Sequence, residues 1–243
     1  MPLSFVQLNI ETDKHLEKIR PLLASRRPDV VCLQELFEDD IPFFEELLGA
    51  TCFFVRMKHY TRESRGLGVE GLGIFSRYPM LSTASYQFGG IVGEAPEYDN
   101  SSPEAKHETE RFMLAVAEIE KDGEAFRIGT THFPVTRHGE ADDLQRAALA
   151  RFLAITENLG EFVVTGDFNA PRGREVFTAL AERFRDNVPA IYATSIDGSI
   201  HRAGALPYMV DGVFSTEGYD VSAVEMICGV SDHCALAGTI AKA

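Results

Sequence analysis

The sequence predicts an α/β fold with mixed sheets, in one domain spanning residues 1–243. Short apolar runs alternate with amphipathic stretches along the whole chain. Two of the runs, 111–120 and 125–133, flank an Asp122-Gly123 turn and read as a hairpin. Elsewhere helical segments separate the runs, as crossovers between parallel strands require.

LSFVQLNI (3–10) reads as the first strand and 12–27 as the first helix, with Leu16, Ile19, Leu22 and Leu23 on one side. Pro21 argues for a kink or an early stop there. DVVCLQEL (29–36) is almost continuously apolar, as in a strand covered on both faces. IPFFEELL (41–48) is a short helix closed by Gly49. TCFFVRM (51–57) and GLGIFSR (71–77) are further strands, and 89–110 reads as a long polar loop. After the hairpin, 140–159 is the clearest helix: Leu144, Ala148, Phe152, Ile155 and Leu159 share a face, and Gly160 stops it. A strand through Phe162, Val163 and Val164 follows, then a helix at 173–184. Strands at 209–215, 220–227 and 234–240 complete the chain.

The formal net charge of −14 gives no general affinity for polyanions, although a local basic patch or a bound metal is compatible with it. MPLSFVQLNI lacks the basic start of a signal peptide, and no apolar run approaches a membrane span, so stable membrane insertion is not expected. Cys32, Cys52, Cys228 and Cys234 form no Cys-x-x-Cys pair and mostly sit in apolar runs. They read as buried reduced thiols rather than zinc ligands or disulfides, and the protein as cytoplasmic.

EFVVTGDFNAP (161–171) ends an apolar strand on an acid and an amide with a phenyl ring between them. Strand alternation places Asp167 and Asn169 on one face and Phe168 on the other. A plain turn is the competing reading, since Gly, Asp, Asn and Pro are turn formers. Other strand ends carry similar groups: Asn9, Glu35, His132, Asp211, and the adjacent Asp232 and His233. Each alone reads as a cap or a hydrogen-bonded structural residue. Together they are costly to bury unless paired or bound to metal, and their oxygen-rich chemistry suits Mg²⁺ or Mn²⁺.

These residues carry a resemblance. Asn9-Ile10, Gln34-Glu35, Thr131-His132, GDFN (166–169), Val210-Asp211 and Ser231-Asp232-His233 resemble, in order, the motifs of the endonuclease/exonuclease/phosphatase family. The resemblance covers nearly the whole chain. It implies a four-layer sandwich, two mixed β-sheets packed face to face with helices outside. It also implies a Mg²⁺- or Mn²⁺-dependent phosphoesterase. Glu35 is then the main metal ligand, with Asn9 and Asp232 nearby. Asp167 orients or deprotonates the attacking water, and Asn169 holds that water or a phosphate oxygen. His233, paired with Asp211, contacts the scissile phosphate, and His132 donates to a phosphate oxygen. Glu11 and Thr12 after the first motif, and Gly212 after Asp211, depart from the family's pattern at positions that bear on substrate contacts.

Two substrate classes remain open. Arg56, Lys58, Arg62 and Arg65, with Arg172 and Arg174, suggest a phosphate-tracking groove and hence a nuclease. Against the nuclease stand the acidic charge and the lack of tryptophan for base stacking. The phosphodiesterase or nuclease remains the leading reading. The alternative, a small-molecule or lipid-headgroup phosphatase or phosphodiesterase, rests on the compact chain, the lack of an added DNA-binding module and the 89–110 loop as a lid. Arg111, closing the 89–110 loop, is a candidate substrate contact, and Tyr98, His107 and His201 are loop candidates. A non-catalytic binding module on the same fold is a third reading. No obligate protein partner is evident.

Overall fold

In a computed structural model, which describes residues 1–62, 65–94 and 96–243, the chain forms two six-stranded mixed sheets with helices outside. The first contains β1 (Leu3–Asn9), β2 (Val30–Phe37), β3 (Thr51–Arg62), β4 (Gly66–Ser76), β11 (Tyr219–Ile227) and β12 (Ala235–Lys242), in the order β11-β12-β1-β2-β4-β3. The second contains β5 (Met80–Gly90), β6 (Arg111–Lys121), β7 (Glu124–His132), β8 (Val163–Asp167), β9 (Arg185–Asp186) and β10 (Asp211–Ser215), in the order β5-β6-β7-β8-β10-β9. Each sheet has one parallel pair, β1·β2 and β7·β8. The four-layer arrangement implied by the family resemblance is the one observed.

Strand alternation builds the layers. On β1, Phe5 packs into the core between the sheets, while Val6 and Leu8 face outward against Ile19, Leu23, Phe44 and Leu48. Those four belong to α1 (Leu16–Arg26) and α2 (Ile41–Leu48). Phe152 of α4 (Asp143–Thr156) and Phe177 and Leu180 of α5 (Glu175–Ala181) join the large core on the second sheet. Full burial of one such side chain stabilises the fold by about 1.5–3 kcal/mol.

One polar seam crosses between the sheets. Gln7 Nε2 donates to Gln34 Oε1 at 2.9 Å and to Asp211 Oδ1 at 2.9 Å, and Gln34 Nε2 donates to Thr130 Oγ1 at 2.8 Å. These groups are fully buried, and each bond spares a desolvation cost of roughly 1–3 kcal/mol.

The structure corrects several expectations. α1 starts at Leu16, not residue 12, because Glu11 and Thr12 adopt left-handed backbone angles. It runs through Pro21, which lies on the exposed side of the helix. The 89–110 loop is shorter than expected: β5 reaches Gly90, and α3 (Pro103–Thr109) is capped by Ser102 accepting from the Ala105 amide. Ala95 of that loop, and Glu63 and Ser64 of the basic stretch, lie outside the described residues.

Cys228 and Cys234 are disulfide-bonded, against the expectation of reduced thiols. The antiparallel β11·β12 register pairs Ile227 with Ala235, so the next residues, 228 and 234, face each other with Cα atoms 4.3 Å apart. Sequence spacing conceals this because only the hairpin brings them together. Cys32 is a buried free thiol, and the half-buried Cys52 is also free. No helix among the described residues is long and apolar enough to cross a membrane.

Candidate active site

Three neighbouring strands deliver polar residues to one sheet end. The β7·β8 register places His132 beside Asp167, and the β8·β10 register places Asp211 beside Asp167. Gly166 permits this geometry. Its φ is +148°, and a Cβ there meets the Thr131 carbonyl oxygen at 2.1 Å. In the facing sheet, Asn9 ends β1 beside Gln34 of β2. Glu35 follows at a β-bulge between Leu33 and Leu36, with φ of 57°. The bulge re-aims its carboxylate into the cleft between the strand ends.

Asn169 reaches the cleft by a route the strand alternation did not predict. β8 ends at Asp167, and Asn169 is in the left-handed region at φ 47°. Asp167 Oδ1 accepts from the Asn169 amide N–H at 2.8 Å, a local turn closed by the aspartate itself. Phe168 is buried against Phe133 and Phe214. The backbone is therefore a turn, and the two polar side chains still share a cleft.

Asp232 and His233 sit in the loop between β11 and β12. The disulfide closes that loop, the Asp197 amide donates to the Asp232 carbonyl at 2.8 Å, and the Cys234 amide donates to the Ser195 carbonyl at 2.7 Å. His233 Nδ1 meets Asp211 Oδ2 at 2.7 Å, and its Nε2 lies 3.7 Å from Asp167 Oδ2. His132 Nε2 lies 3.5 Å from the same oxygen. Asn9 Nδ2 donates to Asp167 Oδ2 at 3.2 Å and to Glu35 Oε1 at 3.1 Å.

Asp167 is the electrostatic hub. Burial raises its pKa, but His233 and His132 outweigh burial and hold it at about 2. Burial lowers the His132 pKa, and Asp167 overrides this to bring it to about 9. Burial likewise opposes charge on His233, yet Asp211 and Asp167 hold its pKa well above the usual imidazole value. Both histidines are therefore cationic near neutral pH. Burial pushes Asp232 up to about 6, with Glu11 and Glu35 adding to the rise against His233.

The cleft encloses about 240 Å³. Glu35, His132, Asp167, Asn169, Asp232 and His233 line it, joined by Tyr98 and His201. Asn9 and Asp211 lie behind that lining, buried and bonded to residues that do face it. Arg111 and His107 are not brought in. Arg111 opens β6 opposite Gly90, and its Nε is buried without a partner.

The basic residues turn out to be committed elsewhere. Lys58 lies on β3, buried with its Nζ 3.0 Å from both Glu70 and Glu110. One ammonium faces two buried carboxylates there, and burial with the surplus negative charge pushes Glu70 up to about 7. Arg62 is buried against Asp39 and Asp40, while Arg65 pairs with Asp40 and Asp13. Arg56 pairs with Glu38, Arg172 with Asp186, and Arg174 with Glu140. Sequence inspection missed the buried triad because its two acids are 12 and 52 residues from Lys58.

The cleft suits a hard divalent cation better than zinc. Among the described residues, one cluster of three His, Cys, Asp or Glu donors lies within 4.8 Å, namely Asp197, Cys228 and Cys234, and its sulfurs are joined in the disulfide. Mg²⁺ needs no such cage, because it keeps several waters and binds through one or two carboxylates. Glu35 and Asp232 are carboxylates of the cleft lining that could hold such an ion, and burial with Glu11 and Glu35 nearby raises Asp232. Asn9 turns its amide Nδ2 toward Glu35 and spends its carbonyl on the Glu11 N–H, so it holds Glu35 in place.

A family model described as "Endonuclease/Exonuclease/phosphatase family" matches residues 6–233. No curated protein matches. Solved structures match over the full length. An endonuclease/exonuclease/phosphatase from Beutenbergia cavernae is 17% identical with a TM-score of 0.74, covering 99% of this chain and 72% of that one. One from Bacteroides vulgatus is 16% identical, TM-score 0.74, covering 100% of both. The human Nocturnin catalytic domain with bound sulfate anion is 17% identical, TM-score 0.72, covering 100% of this chain and 94% of that one. At these identities the likeness shows the fold.

Proposed function

The chain belongs to the endonuclease/exonuclease/phosphatase family, and from that premise we propose that it is a divalent-metal-dependent phosphoester hydrolase using an activated water. The observation that carries this reading is the buried Asp167 carboxylate, flanked at 3.5 and 3.7 Å by His132 and His233. Hydrolysis of a phosphoester needs an oriented water and positive charge around the phosphoryl oxygens, and this cluster offers both.

Asp167, held ionised by the two histidines, accepts a hydrogen bond from the attacking water and orients it, taking its proton only as the bond to phosphorus forms. Asn169 has an Nδ2 hydrogen committed to the Phe133 carbonyl at 3.0 Å. Its backbone carbonyl accepts from Gln145 Nε2 at 3.2 Å, but its side-chain Oδ1 takes no bond from the described residues and is open to that water, which favours the water over a phosphate oxygen as its partner. Cationic His233, its ring oriented and its charge favoured by Asp211, contacts the scissile phosphate. His132 donates to a phosphoryl oxygen. Glu35 and Asp232 would hold Mg²⁺ or Mn²⁺, which when bound supplies a Lewis acid at the phosphoryl group.

The paired state of the arginines and of Lys58 favours a compact phosphoester over a polynucleotide, because the groove that was to track a phosphate backbone is internally neutralised. The test compares Mg²⁺-dependent turnover of bis-p-nitrophenyl phosphate, p-nitrophenyl phosphate and plasmid DNA, with EDTA controls and the Asp167→Asn variant. Metal-dependent turnover of a nitrophenyl ester, lost in the variant, is expected. Full turnover in EDTA overturns the reading, and plasmid nicking as the dominant activity restores the nuclease.

A further inference from the structure

We infer that Tyr60 and Tyr98, with Lys106 and Arg202, form a subsite for the non-reacting part of the substrate: a ring that carries a second anionic group. This rests on the phosphoesterase reading of the adjoining residues and names the substrate class they serve.

Tyr98 is fastened by backbone bonds rather than hung on a free loop. Its amide donates to the His59 carbonyl at 2.7 Å, and the His59 amide to the Pro96 carbonyl at 3.4 Å. Thr61 Oγ1 adds a bond to Glu97 at 3.0 Å. The Tyr60 and Tyr98 rings sit 5.8 Å apart at 51°, and both line the cleft that holds Asp167 and His233. Lys58 Nζ lies 4.4 Å from the Tyr98 ring centre while bonded to Glu70 and Glu110. Its charge is spent on holding that ring and those acids. The hydroxyls of both tyrosines bond to none of the described residues. What the rings present to the cleft is therefore aromatic surface with a polar tip, suited to the flat face of a sugar or a base.

The charges beside the rings limit what that ring carries. Lys14, Lys58, Lys106 and Arg202 are the lysines and arginines lining the cleft. Lys14 pairs with Glu11, and Lys58 with Glu70 and Glu110. Lys106 and Arg202 have no acidic partner among the described residues. Six carboxylates line the same cleft: Glu11, Glu35, Glu70, Glu110, Asp167 and Asp232. Among the described residues, Lys106 and Arg202 are held to no carboxylate at ion-pair distance and stay accessible at the cleft, so a ligand anion is a partner open to them. Two of them suit one further phosphate or carboxylate, whereas an extended backbone needs a row. A cleft of about 240 Å³ encloses a group of that size.

Steady-state kinetics with Mg²⁺ and titration calorimetry on the Asp167→Asn background test this. The probes are adenosine 3′,5′-bisphosphate, fructose 1,6-bisphosphate, p-nitrophenyl phosphate and pyrophosphate. Lys106→Ala and Arg202→Ala should each raise KM for a bisphosphate, relative to KM for p-nitrophenyl phosphate, about fivefold. Tyr98→Ala should weaken binding of a ring-bearing bisphosphate, relative to ringless pyrophosphate, about tenfold, with Tyr98→Phe recovering most of it. The adenosine and fructose arms tell whether the ring is a base or a sugar. Unchanged ratios in all three alanine variants overturn the subsite. Bisphosphate binding that weakens in these variants, from a protein that hydrolyses no phosphoester, supports the subsite and overturns the hydrolase reading. No binding and no turnover of any probe overturn both.

Discussion

Asp211 holds His233 at 2.7 Å through one carboxylate oxygen and takes Gln7 of the facing sheet at 2.9 Å through the other. The carboxylate is fully buried, so its direction is set by these two partners. The pair ties His233 to the packing of the two sheets, and the behaviour of His233 should report on it.

Replacing Asp211 with Asn removes the charge that keeps His233 protonated. We expect kcat to fall about 100-fold. The alkaline limb of the kcat–pH profile should also move to lower pH, because the imidazolium is then lost earlier. The same profile in wild type and variant argues against a cationic role for His233.

Stability of the metal-free protein should depend on pH through Asp167 and His132. The folded Asp167 is depressed to about 2, so its contribution is present above roughly pH 4 and is lost as pH falls through 2. The folded His132 is raised to about 9, so its contribution is complete below roughly pH 6.5 and is lost as pH rises through 9. Urea denaturation in EDTA should show both contributions between about pH 4 and 6.5. Asp167→Asn should flatten the alkaline decline. An equally steep decline in the variant contradicts the coupling.

Lys58→Met leaves Glu70 and Glu110 buried without their cation. Destabilisation of about 3–5 kcal/mol is expected by chemical denaturation. Adding Glu70→Gln and Glu110→Gln should recover much of it, since neutral amides cost less to bury. A single mutant as stable as wild type means the triad is hydrated and not the anchor described above.

Reducing the Cys228–Cys234 disulfide frees the loop that carries Asp232 and His233. For so short a loop the chain-entropy relation gives a stability loss on the order of 2 kcal/mol. Melting with and without dithiothreitol, alongside Cys228→Ser/Cys234→Ser, measures it, and turnover should fall with the loosened loop. Identical melting and turnover in both redox states refute the tether.

Much of the fold was legible in local pattern. The near-continuous DVVCLQEL run, the Asp122-Gly123 hairpin and the 140–159 helix each express backbone and burial preferences within a dozen residues. Legibility failed where a partner was remote or a signal ambiguous. β5 was hidden because it pairs on one side with β6 and exposes Leu81, so its apolar pattern is weak. The basic stretch was read as free charge because Asp39, Asp40 and Glu110 come from other elements.

The sequence by itself determined the set of polar groups beside its apolar runs, and with them the family: Asn9, Glu35, His132, Asp167, Asn169, Asp211, Asp232 and His233 lie in or next to such runs. That property is local, because a buried strand must change character where it meets solvent or a ligand. Only the tertiary structure decided how charge is distributed among them. Asp167 is ionised because two histidines reach it, one from β7 and one from the β11–β12 loop, Lys58 is unavailable to substrate because two acids enclose it, and Cys228 meets Cys234 because a hairpin register puts them opposite. Coulombic and hydrogen-bond energies depend on distance through space, and the chain settles those distances only when the two sheets close on each other.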